Sequence, residues 1–237
     1  MSCVNFITAQ QASVDSVRLE PYSLRAHQLI LPATLIAVGA FGVENGWACS
    51  VKNDVRDGFQ DLRSDCRFRV DDYLQYLPVA AHVGIGLIGK NSHPLRERIA
   101  VTATAYAAMG LMVNVTKYAV KEKRPDSGAK NSFPSGHTAT AFMGAELVRK
   151  EYGNAYGVGA YAFATGIAFL RLYNDRHWLN DIIAGAGVGI LSAHIGYWLL
   201  PLEQQLFGWG DSRLQCVVAP VCNPIDRNLG LVITASF

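Results

Sequence analysis

The chain has 237 residues, half of them hydrophobic and only 17% charged, against roughly 25% in ordinary soluble domains. A net charge of +2, with no Lys/Arg run interleaved with stacking aromatics, excludes a nucleic-acid partner. Five cysteines (Cys3, Cys49, Cys66, Cys216, Cys222) form no Cys-x-x-Cys pair and so give no zinc or thioredoxin-like motif; Cys49 and Cys66 share one predicted loop, where a disulfide and two free thiols both stay open.

Residues 1–25 are polar and read as a tether or surface helix; Met1 to Gln11 lacks the basic start and apolar core of a complete signal peptide. The first charge-free run, 26–43, is a helix candidate with Pro32 near its start. Glu44 to Asp72 is rich in Asp and Arg and reads as an exposed loop with room for a short amphipathic helix. Two further apolar runs follow, Tyr73–Gly89 and Ile99–Thr116, separated by a connection containing Pro94. A fourth helix is predicted to start at Pro134, since proline suits a first helical turn, and to stop near Tyr152 before Gly153-Asn154. The fifth spans about 155–170, and the sixth about 177–202, stopped near Pro201. The tail, 203–237, ends in an alternating stretch that reads as a small hairpin or loose extension.

The fold class this implies is all-α: a six-helix bundle over 26–202 between an N-terminal polar segment (1–25) and the tail (203–237). Runs 26–43, 73–89, 99–116, 152–170 and 182–202 approach the roughly 20 apolar residues that cross a bilayer. Run 131–145 is shorter and meets Glu146, which neighbouring helices must shield. Ala184, Gly185, Ala186, Gly187 and Gly189 in the sixth helix allow the close packing of a membrane bundle. If helices three to six alternate in direction, the ends that carry Lys117, His137, Arg171 and His177 share one side.

Those four residues belong to three polar segments. Lys117 and Arg124 stand seven apart, and Pro125 disfavours helical geometry at Arg124, turning its guanidinium inward. With Arg171 they supply one ammonium and two guanidiniums to hold phosphate oxygens. Pro134-Ser135-Gly136-His137 opens a helix whose free N–H groups form an anion seat, with the Ser135 hydroxyl as a further donor. His177 and Asp181 are four apart on one helix start; a carboxylate on one imidazole nitrogen frees the other to attack phosphorus, leaving His137 as the acid for the departing oxygen. A divalent metal on His137, His177 and Asp181 would be repelled by the three cations, so neither metal nor cofactor is expected. His27, His82, His93 and His194 read as structural.

Lys-x6-Arg-Pro, Pro-Ser-Gly-His and Arg-x5-His-x3-Asp, in this order, resemble the signature of the type 2 phosphatidic acid phosphatase (PAP2) superfamily, over about residues 99–200. That resemblance implies phosphate contacts by Lys117, Arg124, Ser135, Gly136 and Arg171. It also implies His137 as general acid, His177 as the nucleophile that becomes a phosphohistidine, and Asp181 as its partner. Leu170 departs from the pattern, which usually has serine before the arginine. The layout resembles the membrane lipid phosphatases of the family, and the flanks resemble those of bacterial envelope lipid A phosphatases.

The expected activity is hydrolysis of a phosphomonoester or pyrophosphate on a lipid of the lipid A, undecaprenyl diphosphate, phosphatidylglycerol phosphate or phosphatidate class. The expected place is a bacterial inner membrane, with the site facing the periplasm. The competing readings are a vanadium-dependent haloperoxidase or broad acid phosphatase, and a non-catalytic phospholipid-binding or transport protein.

Overall fold

The computed structural model describes residues 26–44, 46–63, 69–88, 92–209, 215–223 and 228–236, so the N-terminal tether predicted for 1–25 lies outside the described residues. Eight helices and two strands run in the order α1 (His27–Glu44), α2 (Gly46–Leu62), α3 (Asp71–Leu74), α4 (Leu77–Ile85), α5 (Leu95–Val120), α6 (Gly136–Tyr152), α7 (Asn154–Tyr173), α8 (Leu179–Leu206), β1 (Gln215–Asn223) and β2 (Asn228–Ser236). The six predicted helices correspond to α1, α4, α5, α6, α7 and α8; α2 and α3 are additions within the stretch read mainly as loop. One compact unit runs to Trp198 and a second covers Leu199–Phe237. In the second, β1 and β2 pair antiparallel from Gln215 with Ser236 to Asn223 with Asn228, the hairpin the alternation suggested.

The run 73–89 is not the single helix expected. Pro78 sits in the first turn of α4, where its missing N–H costs nothing, and it has none to give the carbonyl four residues back at Leu74, where α3 ends. The segment therefore breaks into the four residues of α3, the nine of α4 and a 3-10 turn at Gly86–Ile88, too short to cross a membrane. Pro201, expected to stop the last helix, lies inside α8, which continues to Leu206.

Among the described residues three helices are long and apolar enough to span: α5 (26 residues), α7 (20) and α8 (28). In α8, 72% of the apolar window is buried inside the protein, against 22% in α5 and 28% in α7, so α8 is the central post and the other two face outward. Helices α1 and α2 pass the same test as a pair bent by 93°. The bend lets α2, with Lys52, Asp54, Arg56, Asp57 and Asp61 along it, reach the polar loops at one end of the bundle; Arg56 pairs with Asp175 at 2.8 Å, and Phe59 meets Phe169 of α7 edge-on at 5.0 Å.

The small residues of α8 are where they were expected to matter. A Cβ on Gly189 would lie 2.3 Å from the Ala139 carbonyl oxygen of α6, closer than any side chain tolerates. Glu146, in the middle of the short α6, is 1% exposed. It accepts from Arg149 Nε (2.7 Å), the Tyr161 hydroxyl (2.7 Å) and, more loosely, pairs with His194 Nε2 (3.4 Å), the shielding its position demands. His93 is likewise structural: its Nδ1 meets buried Glu151 at 2.8 Å. Cys49 is a free thiol, and Cys66 lies outside the described residues.

Candidate active site

The C-terminal ends of α5 and α7 meet the N-terminal ends of α6 and α8, as alternation of direction requires. Helix α5 ends at Val120 because Lys121 turns left-handed, with φ of 54°. Helix α6 opens at Gly136, two residues later than Pro134, which is joined to Phe133 by a cis peptide bond. The reason is Ser135: its backbone is extended and its Oγ accepts the Thr138 N–H at 3.4 Å, making serine the cap and glycine the first helical residue. The Ser135 hydroxyl is buried and its oxygen also accepts the Thr138 hydroxyl at 3.0 Å, so it is the acceptor in both contacts and keeps its own proton to donate to a ligand.

Helix α8 reaches this turn because Gly185 has no side chain; a Cβ there would stand 2.6 Å from the Ser135 carbonyl oxygen. The Ser135 N–H donates to the Asp181 carbonyl at 3.0 Å, tying two of the three polar segments backbone to backbone. Asp181 is 0% and His177 3% exposed. Oδ2 of Asp181 accepts the Trp178 N–H at 2.9 Å and the Ser132 hydroxyl, and lies 3.3 Å from His177 Nδ1. A carboxylate so placed assigns the proton to Nδ1 and leaves the Nε2 lone pair free. Burial, and then the charges of Arg124, Lys117 and Arg171, hold His177 well below the ordinary histidine range, so the ring is neutral.

Lys117 and Arg124 converge on one residue. Lys117 Nζ donates to the Asn131 carbonyl at 2.5 Å and Arg124 Nε to Asn131 Oδ1 at 2.8 Å. Arg171, in the last turn of α7 and 3% exposed, pairs with Asp71 at 2.5 Å and Asp72 at 2.6 Å, while its buried Nε–H finds no acceptor. His137 Nε2 lies 3.1 Å from the same Asp72 oxygen. One carboxylate thus bridges the arginine and the histidine. Burial first and Arg171 second push His137 down to about 4, with Asp72 opposing them; the Arg171 hydrogen bond in turn lowers Asp72.

All eight residues singled out in the sequence, Lys117, Arg124, Ser135, Gly136, His137, Arg171, His177 and Asp181, come together here. The sequence reading missed Asp71 and Asp72, placed at the edge of an exposed loop; Asp72 is 65 residues from His137, and no spacing rule links them. It also missed Ser132, Asn131 and the contribution of α2, whose Lys52 and Arg56 lie over the Trp178 ring at 5.1 and 5.4 Å. Among the described residues no group of three or more His, Cys, Asp and Glu is arranged to hold a metal ion.

Residues 98–205, which contain all three polar segments, match the PAP2 superfamily. The lipid A 1-phosphatase of Porphyromonas gingivalis is 38% identical over 159 residues, 63% of this chain and 36% of that protein. The chain therefore spans little more than a third of that relative's length. The crystal structure of a transmembrane PAP2 type phosphatidylglycerolphosphate phosphatase from Bacillus subtilis aligns with a TM-score of 0.55 at 17% identity, covering 78% of this chain and 99% of that one. The fold is shared at that level.

Proposed function

We propose that this chain is a membrane lipid phosphatase that works through a phosphohistidine, with its site at the extracytoplasmic surface of a bacterial inner membrane. The observation that carries the reading is the neutral, buried His177 backed by Asp181 and surrounded by the charges of Lys117, Arg124 and Arg171. A nucleophile needs its lone pair, and a phosphoryl group needs cations on the oxygens where charge gathers.

In the proposed reaction Lys117, Arg124, Arg171, the Ser135 hydroxyl and the Gly136 N–H hold the phosphoryl oxygens. His177 Nε2 attacks phosphorus, the bond from phosphorus to the lipid oxygen breaks, and His137 gives that oxygen a proton. Water then attacks phosphorus as His137 takes its proton, the phosphorus–nitrogen bond breaks, and phosphate leaves with His177 restored. In the unliganded site His137 is held near 4, so the negative charge of an arriving phosphate must help to restore its proton before it can act as an acid. Asp181 keeps the attacking tautomer throughout.

The substrate class is a phosphorylated lipid. The 38% identical relative is named as a lipid A 1-phosphatase, which puts a glycolipid phosphate first among the candidates. Phosphate release should be screened over purified lipid A, undecaprenyl diphosphate, phosphatidylglycerol phosphate and phosphatidate in detergent micelles containing EDTA. The expected result is release from at least one lipid, lost by about 1,000-fold or more in His177→Ala. Unchanged release in His177→Ala, or activity abolished by EDTA in the wild type, would overturn the mechanism.

A further inference from the structure

Glu122 lies within the first polar segment, two residues before Arg124, and none of the steps above uses it. Its side chain is only 8% exposed. Oε1 is paired with Lys52 Nζ of α2 at 2.9 Å, Oε2 accepts from Asn180 Nδ2 at 3.0 Å, and its backbone carbonyl accepts the Ser132 N–H at 3.0 Å. The carboxyl also lies against that of Asp181, close enough for one to donate to the other once a proton is present. Two carboxyls in such contact share one proton, since neither oxygen can donate without it. Asp181 has a place for that proton: Oδ2 is taken up by Ser132, Trp178 and His177, while Oδ1 is buried and receives no other donor.

We propose that Glu122 is a positioning residue for the nucleophile: as a neutral acid it donates to Asp181 and holds that carboxylate with Oδ2 against His177 Nδ1. The inference rests on the reading of His177 as nucleophile. Burial and then Asp181 lift Glu122 to about 7, with Lys52 opposing. The charged and titratable groups facing the pair are Lys52 from α2 and, acting on Asp181, Lys117 from α5, Arg124 from the loop that follows it, and His177. Loss of the shared proton leaves two buried carboxylates in repulsion and turns Asp181 away from the histidine. The same chain of contacts gives α2 a hold on the nucleophile, because Lys52 touches both Glu122 and the ring of Trp178, whose backbone N–H donates to Asp181.

The test is kcat against pH from 5 to 9 for the full chain in micelles, with lipid A and dioctanoyl phosphatidate as substrates. Glu122→Gln keeps an N–H donor for Asp181 and an oxygen for Lys52 but has no proton to lose. It is expected to retain most of kcat at pH 6 and to move the alkaline limb up by about one pH unit or more. Glu122→Ala is expected to lose kcat by about ten-fold or more at pH 6 with KM little changed, the cost of one hydrogen bond to a charged group. An alkaline limb in Glu122→Gln that coincides with the wild type overturns the proposal, and so does wild-type kcat in Glu122→Ala. Should the alanine variant fail to fold, the glutamine limb decides alone. An active His177→Ala would instead bring down the nucleophile reading; an inactive His177→Ala beside an unaltered Glu122→Ala sinks this inference only.

Discussion

Asp72 occupies the ground that an incoming phosphate has to take. Its Oδ1 lies 2.6 Å from Arg171 and 3.1 Å from His137, so a phosphate oxygen bound by these two groups must displace it or share them. The Asp72 side chain is 43% exposed, which keeps each contact in the solvent-screened range of about 0.2–1 kcal/mol. Two such contacts amount to about 1 kcal/mol, or about five-fold in a binding constant. Asp72→Asn removes the charge and keeps the shape. Inhibition of the wild type and Asp72→Asn by inorganic phosphate and by orthovanadate, measured at pH 7, should therefore show both inhibition constants falling about five-fold in the variant. The reasoning is refuted if the constants are unchanged or rise, because Asp72 would then support the anion seat by orienting Arg171 and His137 instead of competing for them.

Gly185→Ala would drive a methyl group to 2.6 Å from the Ser135 carbonyl oxygen, which is backbone and cannot step aside cheaply. A destabilisation of about 1–3 kcal/mol is expected, read as a lower Tm in detergent, together with loss of phosphate release as the Ser135–His137 turn shifts. A Tm within error of the wild type would show that α8 does not press on that turn. Burial and three neighbouring cations predict that His177 titrates well below its ordinary 6.5 in the unliganded protein. The sign is fixed by charge: each cation disfavours the imidazolium, so the ring stays neutral as pH falls through 6.5 and gains its proton only at lower pH. Nitrogen-15 NMR of the histidines, with His177 assigned by difference against His177→Ala, tests this, and a midpoint at or above 6.5 contradicts it.

Much of the architecture was legible along the chain because it depends on local rules. Charge-free runs fixed six helix positions, and the alternation of their directions put Lys117, His137, Arg171 and His177 at one end before any contact was known. The His177–Asp181 pair needed only the four-residue repeat of a helix start. Ser135 has a second role that spacing does not show: its hydroxyl reads as a phosphate donor in sequence, and in the fold its oxygen also caps α6. The 73–89 run breaks where hydropathy predicts one helix because Pro78 lacks the N–H that would bond the Leu74 carbonyl. The long-range partners were invisible for a different reason. Asp71, Asp72, Lys52 and Arg56 come from the polar stretch before α4, and they meet the motif segments only because α1 and α2 bend by 93° and α3 folds back on α7.

The sequence by itself therefore determined the cations, the two histidines and the helix ends that bear them, since spacing and periodicity are properties of the chain alone. Only the tertiary structure decided what stands next to those groups. Asp72 lies on His137 and Arg171, and Glu122 lies beside Asp181. Burial and neighbouring charge, which set whether an imidazole is a nucleophile or an acid, arise when distant segments close around it, and spacing carries no trace of either.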